Sequence, residues 1–349
     1  MKKKLNLAKG KSIGIGEPCF VIAEIGNNHQ GSFELAQKLI EEAAKAGADA
    51  VKFQKRHIPS LLTSTLYNAP YNGPNSFGKT YGEHREALEL SVEEFKKLKD
   101  LAEDLGLVFF ASVWDEVSLM QMVDIGVEII KISSADLVNI PLLRKAASTQ
   151  KIIFLSTGMS SLEEIDRAVS EIKAQNQKLV LFHCNSSYPC KDEQIALSVI
   201  NVLQQRYNTL VGYSGHEKGI GPSIASVALG ACAVERHFTL DKSLPGTDHK
   251  VSLLPEEFRL MVKSIREVEK AIKVKEKRVY PEELKNKEKL RKSIVAATDI
   301  SEGDVITEEN ITVKSPGIGL SPIYWDDVIG KRAKRSFKKD EFIQFEDLR

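Results

Sequence analysis

Eight short, nearly uninterrupted apolar runs, each followed by a stretch with helical spacing, constrain this chain more than any other feature. They cover Phe20–Glu24, Ala50–Gln54, Val108–Ser112, Ile129–Ser133, Ile152–Ser156, Leu179–His183, Leu210–Tyr213 and Ala233–His237. A run that is apolar throughout and rich in Val and Ile suits a strand buried on both faces, as parallel strands are under covering helices. The segments between them carry helix signals. Leu35, Leu39, Ala43 and Ala44 form one stripe, with Gly47 where a C-terminal cap is expected. Ser91 with Glu94, and Ser161 with Glu164, read as capping boxes. Pro255 suits the first turn of a last helix carrying Phe258, Met261, Val262, Ile265 and Val268. Eight repeats of strand and helix over roughly 270 residues predict a (β/α)8 barrel; an open doubly wound sheet would not need so many units.

That rhythm stops near Lys273. From Lys273 to Lys292 the chain is strongly charged and contains Pro281, which reads as a linker with at most a helical turn. Beyond it, Ser293–Ala297, Ile306 and Ile311–Val313 are short β-like runs separated by Glu-Gly-Asp and Pro-Gly turns. The expected division is a barrel over 1–275, a linker over 276–290 and a small β-rich domain over 291–349.

Charge and cysteine usage narrow the class of protein. Lys and Arg number 49 against 48 Asp and Glu, so no global field draws the chain to nucleic acid or to an anionic membrane. Met1 to Lys4 is basic, but Leu-Asn-Leu-Ala-Lys-Gly follows instead of an apolar core, so no secretory signal is expected. No apolar run approaches the roughly 18–20 residues that span a bilayer. Cys19, Cys184, Cys190 and Cys232 lack CxxC spacing and read as buried reduced thiols of a cytoplasmic protein.

In such a barrel the reacting groups lie at the C-terminal strand ends and the loops after them. Those ends hold Glu24 with Asn27, Asn28 and His29; Lys52 and Gln54; Ser112; Lys131 with Ser133 and Ser134; and Ser156 with Thr157 and Gly158. The later strands add His183, Asn185 and Ser186; Ser214, Gly215 and His216; and Glu235, Arg236 and His237. Packing alone does not call for polar groups at nearly every strand end. Lys52, Lys131, Ser134, Ser156 and Ser214, beside glycine-flanked amides, supply point charges and donors that suit a phosphate. His216 and His237, on adjacent strands near Glu24 and Glu235, can hold one first-row divalent metal with positions left open. His29, His183 and His249 are weaker candidates.

The motifs resemble the sialic acid synthase family. The resemblance rests on Ala23-Glu-Ile-Gly-Asn-Asn-His-Gln-Gly31, Val51-Lys-Phe-Gln-Lys55, Lys79-Thr-Tyr-Gly-Glu-His84, Leu155-Ser-Thr-Gly-Met159, Gly212-Tyr-Ser-Gly-His-Glu217 and Glu235-Arg-His-Phe-Thr-Leu-Asp241. It spans essentially the whole chain, with a C-terminal stretch similar to the family's antifreeze-like (SAF) domain. It implies a metal-dependent transferase, usually with Mn2+ (Mg2+ or Co2+ being alternatives), that condenses phosphoenolpyruvate with an N-acetylated hexosamine. N-acetylmannosamine is the first acceptor so implied; its 6-phosphate and the diacetamido-trideoxyhexoses are the alternatives.

By the same resemblance His216 and His237 hold the metal, while Lys52, Ser112, Lys131, Ser134, Ser156 and Ser214 bind phosphoenolpyruvate. Glu24 orients or deprotonates metal-bound water. Glu235 and Asp248 contact the acceptor sugar, with Gln54, Asn75 and Tyr188 as further contacts. Ser186 departs from the family's usual Asn, which makes it a weaker phosphate donor. Bacterial members offer an Arg across a domain-swapped homodimer, where this chain has Ser315 beside Lys314. Lys55, Arg56, Lys79 and Arg85 could meet a second phosphate near the mouth, although a solvated charged face explains most of them more simply.

Overall fold

A computed structural model describes residues 4–349. It opens on a hairpin that the hydrophobic pattern does not announce, β1 (Lys4–Asn6) paired antiparallel with β2 (Ser12–Gly14). Eight parallel strands then close into a barrel: β3 (Phe20–Gly26), β4 (Ala50–Lys55), β5 (Val108–Val113), β6 (Ile129–Ile132), β7 (Ile152–Ser156), β8 (Leu179–Cys184), β9 (Leu210–Gly215) and β10 (Ala233–His237). Each strand pairs with the next in sequence, and β10 returns to β3. The expected runs all become strands, shifted by no more than two residues at an end.

The helices form where the caps predict. Ser91 and Ser161 each accept from the backbone three residues on, and Glu94 and Glu164 reach back, opening helices Val92–Asp104 and Leu162–Lys173. The last barrel helix runs Pro255–Ala271 with its proline in the first turn. One connection is elaborate. Between β4 and β5 the chain makes three short helices, Ile58–Leu61, Ser64–Tyr67 and Tyr81–Ala87, before the regular one.

Alternate residues of a strand face opposite ways, so parity decides what lies inside the barrel. Val21, Ala23, Val51, Phe109, Ile130 and Leu181 pack outward against the helices. Phe20, Ile22, Ala50, Phe110, Ile129, Phe154 and Phe182 form the interior, and Leu7 and Ile13 of the opening hairpin segment join this cluster. Continuing each inward series toward the strand's C-terminal end reaches Glu24, Lys52, Ser112, Lys131, Ser156 and Glu235, all buried. A lower layer of rings thus carries an upper layer of polar groups on the same strands.

The chain divides into two compact units, Met1–Val274 and Lys275–Arg349. The charged segment expected as a linker contains a ten-residue helix, Pro281–Leu290. Its sequence suits one: Pro281 occupies the first turn, and the Glu283 carboxylate accepts the Tyr280 amide at 2.8 Å. In the second unit β11 (Ser293–Ala296) pairs antiparallel with β12 (Ile311–Lys314). Ile294, Ile300, Ile306, Val328, Phe337 and Ile343 form its core. Lys314 is ion-paired with Asp340, and Ser315 accepts from Lys292 at 2.6 Å. Among the described residues no helix is long and apolar enough to cross a membrane.

Candidate active site

The upper layer lines a cavity of about 310 Å³ at the C-terminal mouth of the barrel. Glu24, Lys52, Gln54, Ser112, Lys131, Ser134, Ser156, Ser186, Tyr188, Ser214, His216, Glu235, His237 and Asp248 all face it. Asn75 does not. It lines an adjoining hollow of about 80 Å³, where its side-chain oxygen accepts the Gly246 amide at 2.9 Å.

Four charges form the floor. The Lys131 ammonium donates to Glu235 at 2.8 Å, and Lys52 lies 2.9 Å from Glu24 and 3.6 Å from Glu235. Two ammonium groups and two carboxylates therefore balance in a buried layer, with Lys131 also 4.2 Å above the Phe182 ring. The carboxylates differ. Burial pushes Glu24 upward, outweighing Lys52, and its Oε2 is buried without an aligned hydrogen-bond donor. Burial also works to raise Glu235, but Lys131 and Lys52 overcome it and hold that carboxyl down at about 2. Two carboxyl groups with proton affinities driven apart are how one pocket assigns a proton carrier and a permanent anion.

Beside this quartet is a cradle of small donors. The Gly158 amide donates to Ser134 Oγ at 3.0 Å, and Lys52 donates to Ser112 Oγ at 2.7 Å. A Cβ on Gly158 would come within 2.4 Å of Ser186 Oγ and 2.8 Å of Ser134 Oγ, so only glycine leaves this space open. At the tip of β3 a register shift between Glu24 and Gly26, with Gly26 at φ +55, turns the strand as the site begins. Gln54 then donates to Glu24 Oε1 at 3.0 Å.

His216 and His237 face each other with ring centroids 5.5 Å apart. The Asn185 carbonyl lies 2.7 Å from His216 Nδ1 and accepts its proton, which leaves the Nε2 lone pair available. Tyr188 contacts that Nε2 at 3.0 Å. Burial, and after it His237, pushes His216 down to about 3, so its ring is neutral near pH 7. His237 Nδ1 is buried with no hydrogen-bond partner, and Asp248 Oδ2 lies 4.0 Å away. A neutral imidazole whose Nε2 accepts from the Tyr188 hydroxyl alone, and an unpartnered buried ring nitrogen on His237, fit a divalent cation. Among the described residues no three His, Cys, Asp or Glu side chains are grouped to hold a metal by themselves. The weaker candidates are engaged elsewhere: His29 Nδ1 accepts the Gly31 amide, His183 Nε2 donates to the Ile195 carbonyl, and His249 pairs with Thr239.

Sequence reasoning passed over one arrangement. Glu217 follows His216, Arg236 precedes His237, and the two form a fully buried ion pair at 2.9 Å. Tyr213 and Ser223 donate to the same carboxylate, and Arg236 also donates to the backbone carbonyls of Glu217 and Gly219. This network ties together the tips of β9 and β10 that carry both histidines. Its signal was present: Arg236 follows Val234 at an outward position of its strand, where a charge requires a buried partner. Trp114 was also missed; it lines the cavity under the Arg56 guanidinium, 4.5 Å from the ring centroid.

Known proteins share this architecture. Residues 39–277 match the NeuB family model and residues 291–349 match the SAF domain model. The chain is 38% identical to a human N-acetylneuraminate-9-phosphate synthase, over 99% of this chain and 97% of that one. It is also 38% identical to an N,N'-diacetyllegionaminic acid synthase of Campylobacter jejuni, over 93% and 98%. A crystal structure of N-acetylneuraminic acid (sialic acid) synthetase from Leptospira borgpetersenii superimposes with a TM-score of 0.72 at 34% identity, covering 82% of this chain and 95% of that one. The chain therefore belongs to the NeuB family of sialic acid synthase-type proteins, with a SAF domain at its C-terminal end.

Proposed function

We propose that this chain condenses phosphoenolpyruvate with an N-acetylated hexosamine, N-acetylmannosamine in the first instance, to give a nine-carbon 2-keto acid and inorganic phosphate. One observation carries the reading: two buried ammonium groups and a donor-lined cradle share a single cavity with His216 and His237. C3 of the enol attacks C1 of the ring-opened sugar, forming the C–C bond, and the aldehyde oxygen takes up a proton. Water adds at C2, and phosphate departs with cleavage of the C–O bond.

Lys52 and Lys131, with Ser112, Ser134, Ser156, Ser214 and the Gly158 region, bind the phosphate and carboxylate of phosphoenolpyruvate. Glu24, whose proton affinity is raised, moves the proton, and Glu235 stays ionised to hold both lysines in place. Gln54, Tyr188 and Asp248 orient the sugar. A divalent ion held by His216 and His237, Mn2+ with Mg2+ and Co2+ as alternatives, would supply Lewis acidity toward the sugar carbonyl.

The test is release of phosphate from phosphoenolpyruvate across a panel of acceptors, with and without chelator. Turnover is expected with an N-acetylated hexosamine, lost on chelation and restored by Mn2+. No turnover with any acceptor removes the reading, and turnover unaffected by chelator removes the metal. A homodimer belongs to the same proposal; a one-chain mass by light scattering in solution rules it out.

A further inference from the structure

The two histidines at the mouth are matched in position but not in engagement. His237 Nδ1 is buried with no hydrogen-bond partner, whereas both ring nitrogens of His216 are taken. One short segment after β8 takes them. The Asn185 carbonyl accepts from Nδ1 at 2.7 Å, and three residues on the Tyr188 hydroxyl lies 3.0 Å from Nε2. Once Nδ1 carries the proton of the ring, Nε2 can only accept, so the tyrosine hydroxyl is the donor. The Tyr188 ring covers the His216 imidazole, with centroids 4.1 Å apart, and meets His237 edge-on at 6.0 Å.

An imidazole nitrogen has one lone pair to give. A first-row divalent ion bonded to it sits about 2 Å away on that same lone pair. The hydroxyl and the ion therefore exclude each other at His216 Nε2. The segment itself need not move for them to exchange. Its backbone is pinned: the Cys190 amide donates to the His216 carbonyl at 3.0 Å, and the Ser187 amide to Asn185 Oδ1 at 2.9 Å. Tyr188, by contrast, is 48% exposed and lines the main cavity, so its ring can shift without opening the core.

We propose that the Tyr188 hydroxyl competes with the divalent ion for His216 Nε2, and that ion binding releases this hydroxyl into the cavity to meet the acceptor. Tyr188 is then a gate on the metal site, and it couples loading of the ion to reception of the sugar. This rests on the metal reading above.

The experiment is calorimetric titration of Mn2+, without substrates, into chelator-treated unaltered protein, Tyr188→Phe and His216→Ala. Tyr188→Phe keeps the ring and removes only the competing donor, so it should bind Mn2+ about two- to tenfold more tightly. His216→Ala should bind it far more weakly. Equal or weaker binding in Tyr188→Phe, or unchanged binding in His216→Ala, overturns the competition. No binding to the unaltered protein overturns the competition and the metal together, while the condensation reading is decided apart from both by the acceptor panel. The unaltered protein offers a second measurement. Titration with Mg2+ should produce a tyrosine difference spectrum that saturates with the ion and is absent in Tyr188→Phe; ion binding without that signal overturns the release. In turnover, Tyr188→Phe should raise the acceptor KM while lowering the Mn2+ concentration that gives half the maximal rate. A side chain that only holds the fold together would worsen both, and that result also overturns the gate.

Discussion

The two ends of the same eight strands obey different rules. At the lower end Phe20, Ile22, Phe110, Phe154 and Phe182 fill the barrel, with Phe154 packed 5.5 Å from Phe110 and 5.0 Å from Phe182. Further along the same inward series the residues are Glu24, Lys52, Lys131 and Glu235, equally buried but charged. The lower layer stabilises the fold by removing apolar surface from water. The upper layer is held in place by the lower one and sacrifices stability for chemistry, because buried ion pairs are weak contributors to folding. Mutations should separate the two layers cleanly.

The largest effect is expected at Lys131. Lys131→Met keeps the side-chain volume but removes half of the ammonium pair, and should lower kcat/KM by about 10²–10³-fold. Glu235 retains Lys52, so the thermal midpoint should move far less than for a ring deletion. A fall in activity that merely tracks unfolding would break the distinction between the layers. Phe154→Ala is the converse: about 3–5 kcal/mol of stability lost by denaturant titration, with a smaller change in kcat/KM for whatever protein stays folded.

Glu217→Gln probes the support beneath the histidines. It should weaken Mn2+ binding about 10–100-fold, read by titration calorimetry, while leaving phosphoenolpyruvate binding nearly unchanged. Equal losses for both ligands would mean that the pair only holds the fold together. Gly158→Ala should raise the KM for phosphoenolpyruvate roughly tenfold, since one methyl in that cradle displaces about one charge-assisted hydrogen bond.

A further contrast concerns pH. Burial, and after it Arg56, pushes His29 down to about 3 against 6.5 for the free side chain. Between those values the unfolded chain binds the proton and the folded chain does not, so stability falls as pH drops from 6.5 toward 3. His29→Gln should flatten the dependence by up to about 1.4 kcal/mol per pH unit within that window. An unchanged slope would mean that His29 is charged in the folded protein.

Much of this was legible in the residues. Eight apolar runs and their caps could only be strands and helices in alternation, and residues such as Lys52 and Lys131 at the ends of such runs had to be explained by chemistry. The opening hairpin was not legible, because Leu5, Leu7 and Ile13 make too short a pattern to separate from a loop. The helix at Pro281–Leu290 was hidden because its side chains are exposed and show no apolar stripe. Arg85 was half legible: its charge could be read as meeting a second phosphate or as part of a solvated face.

The sequence by itself determined which strands exist and which strand ends bear charge, because hydrophobic patterning is a local property. The tertiary structure decided which charges neutralise one another. Lys131 meets Glu235 across 104 residues of chain, Lys52 lies between Glu24 and Glu235, and Arg85 is left without a carboxylate among the described residues. Coulomb energy depends on distance in space and on local burial, and neither can be read from separation along the chain.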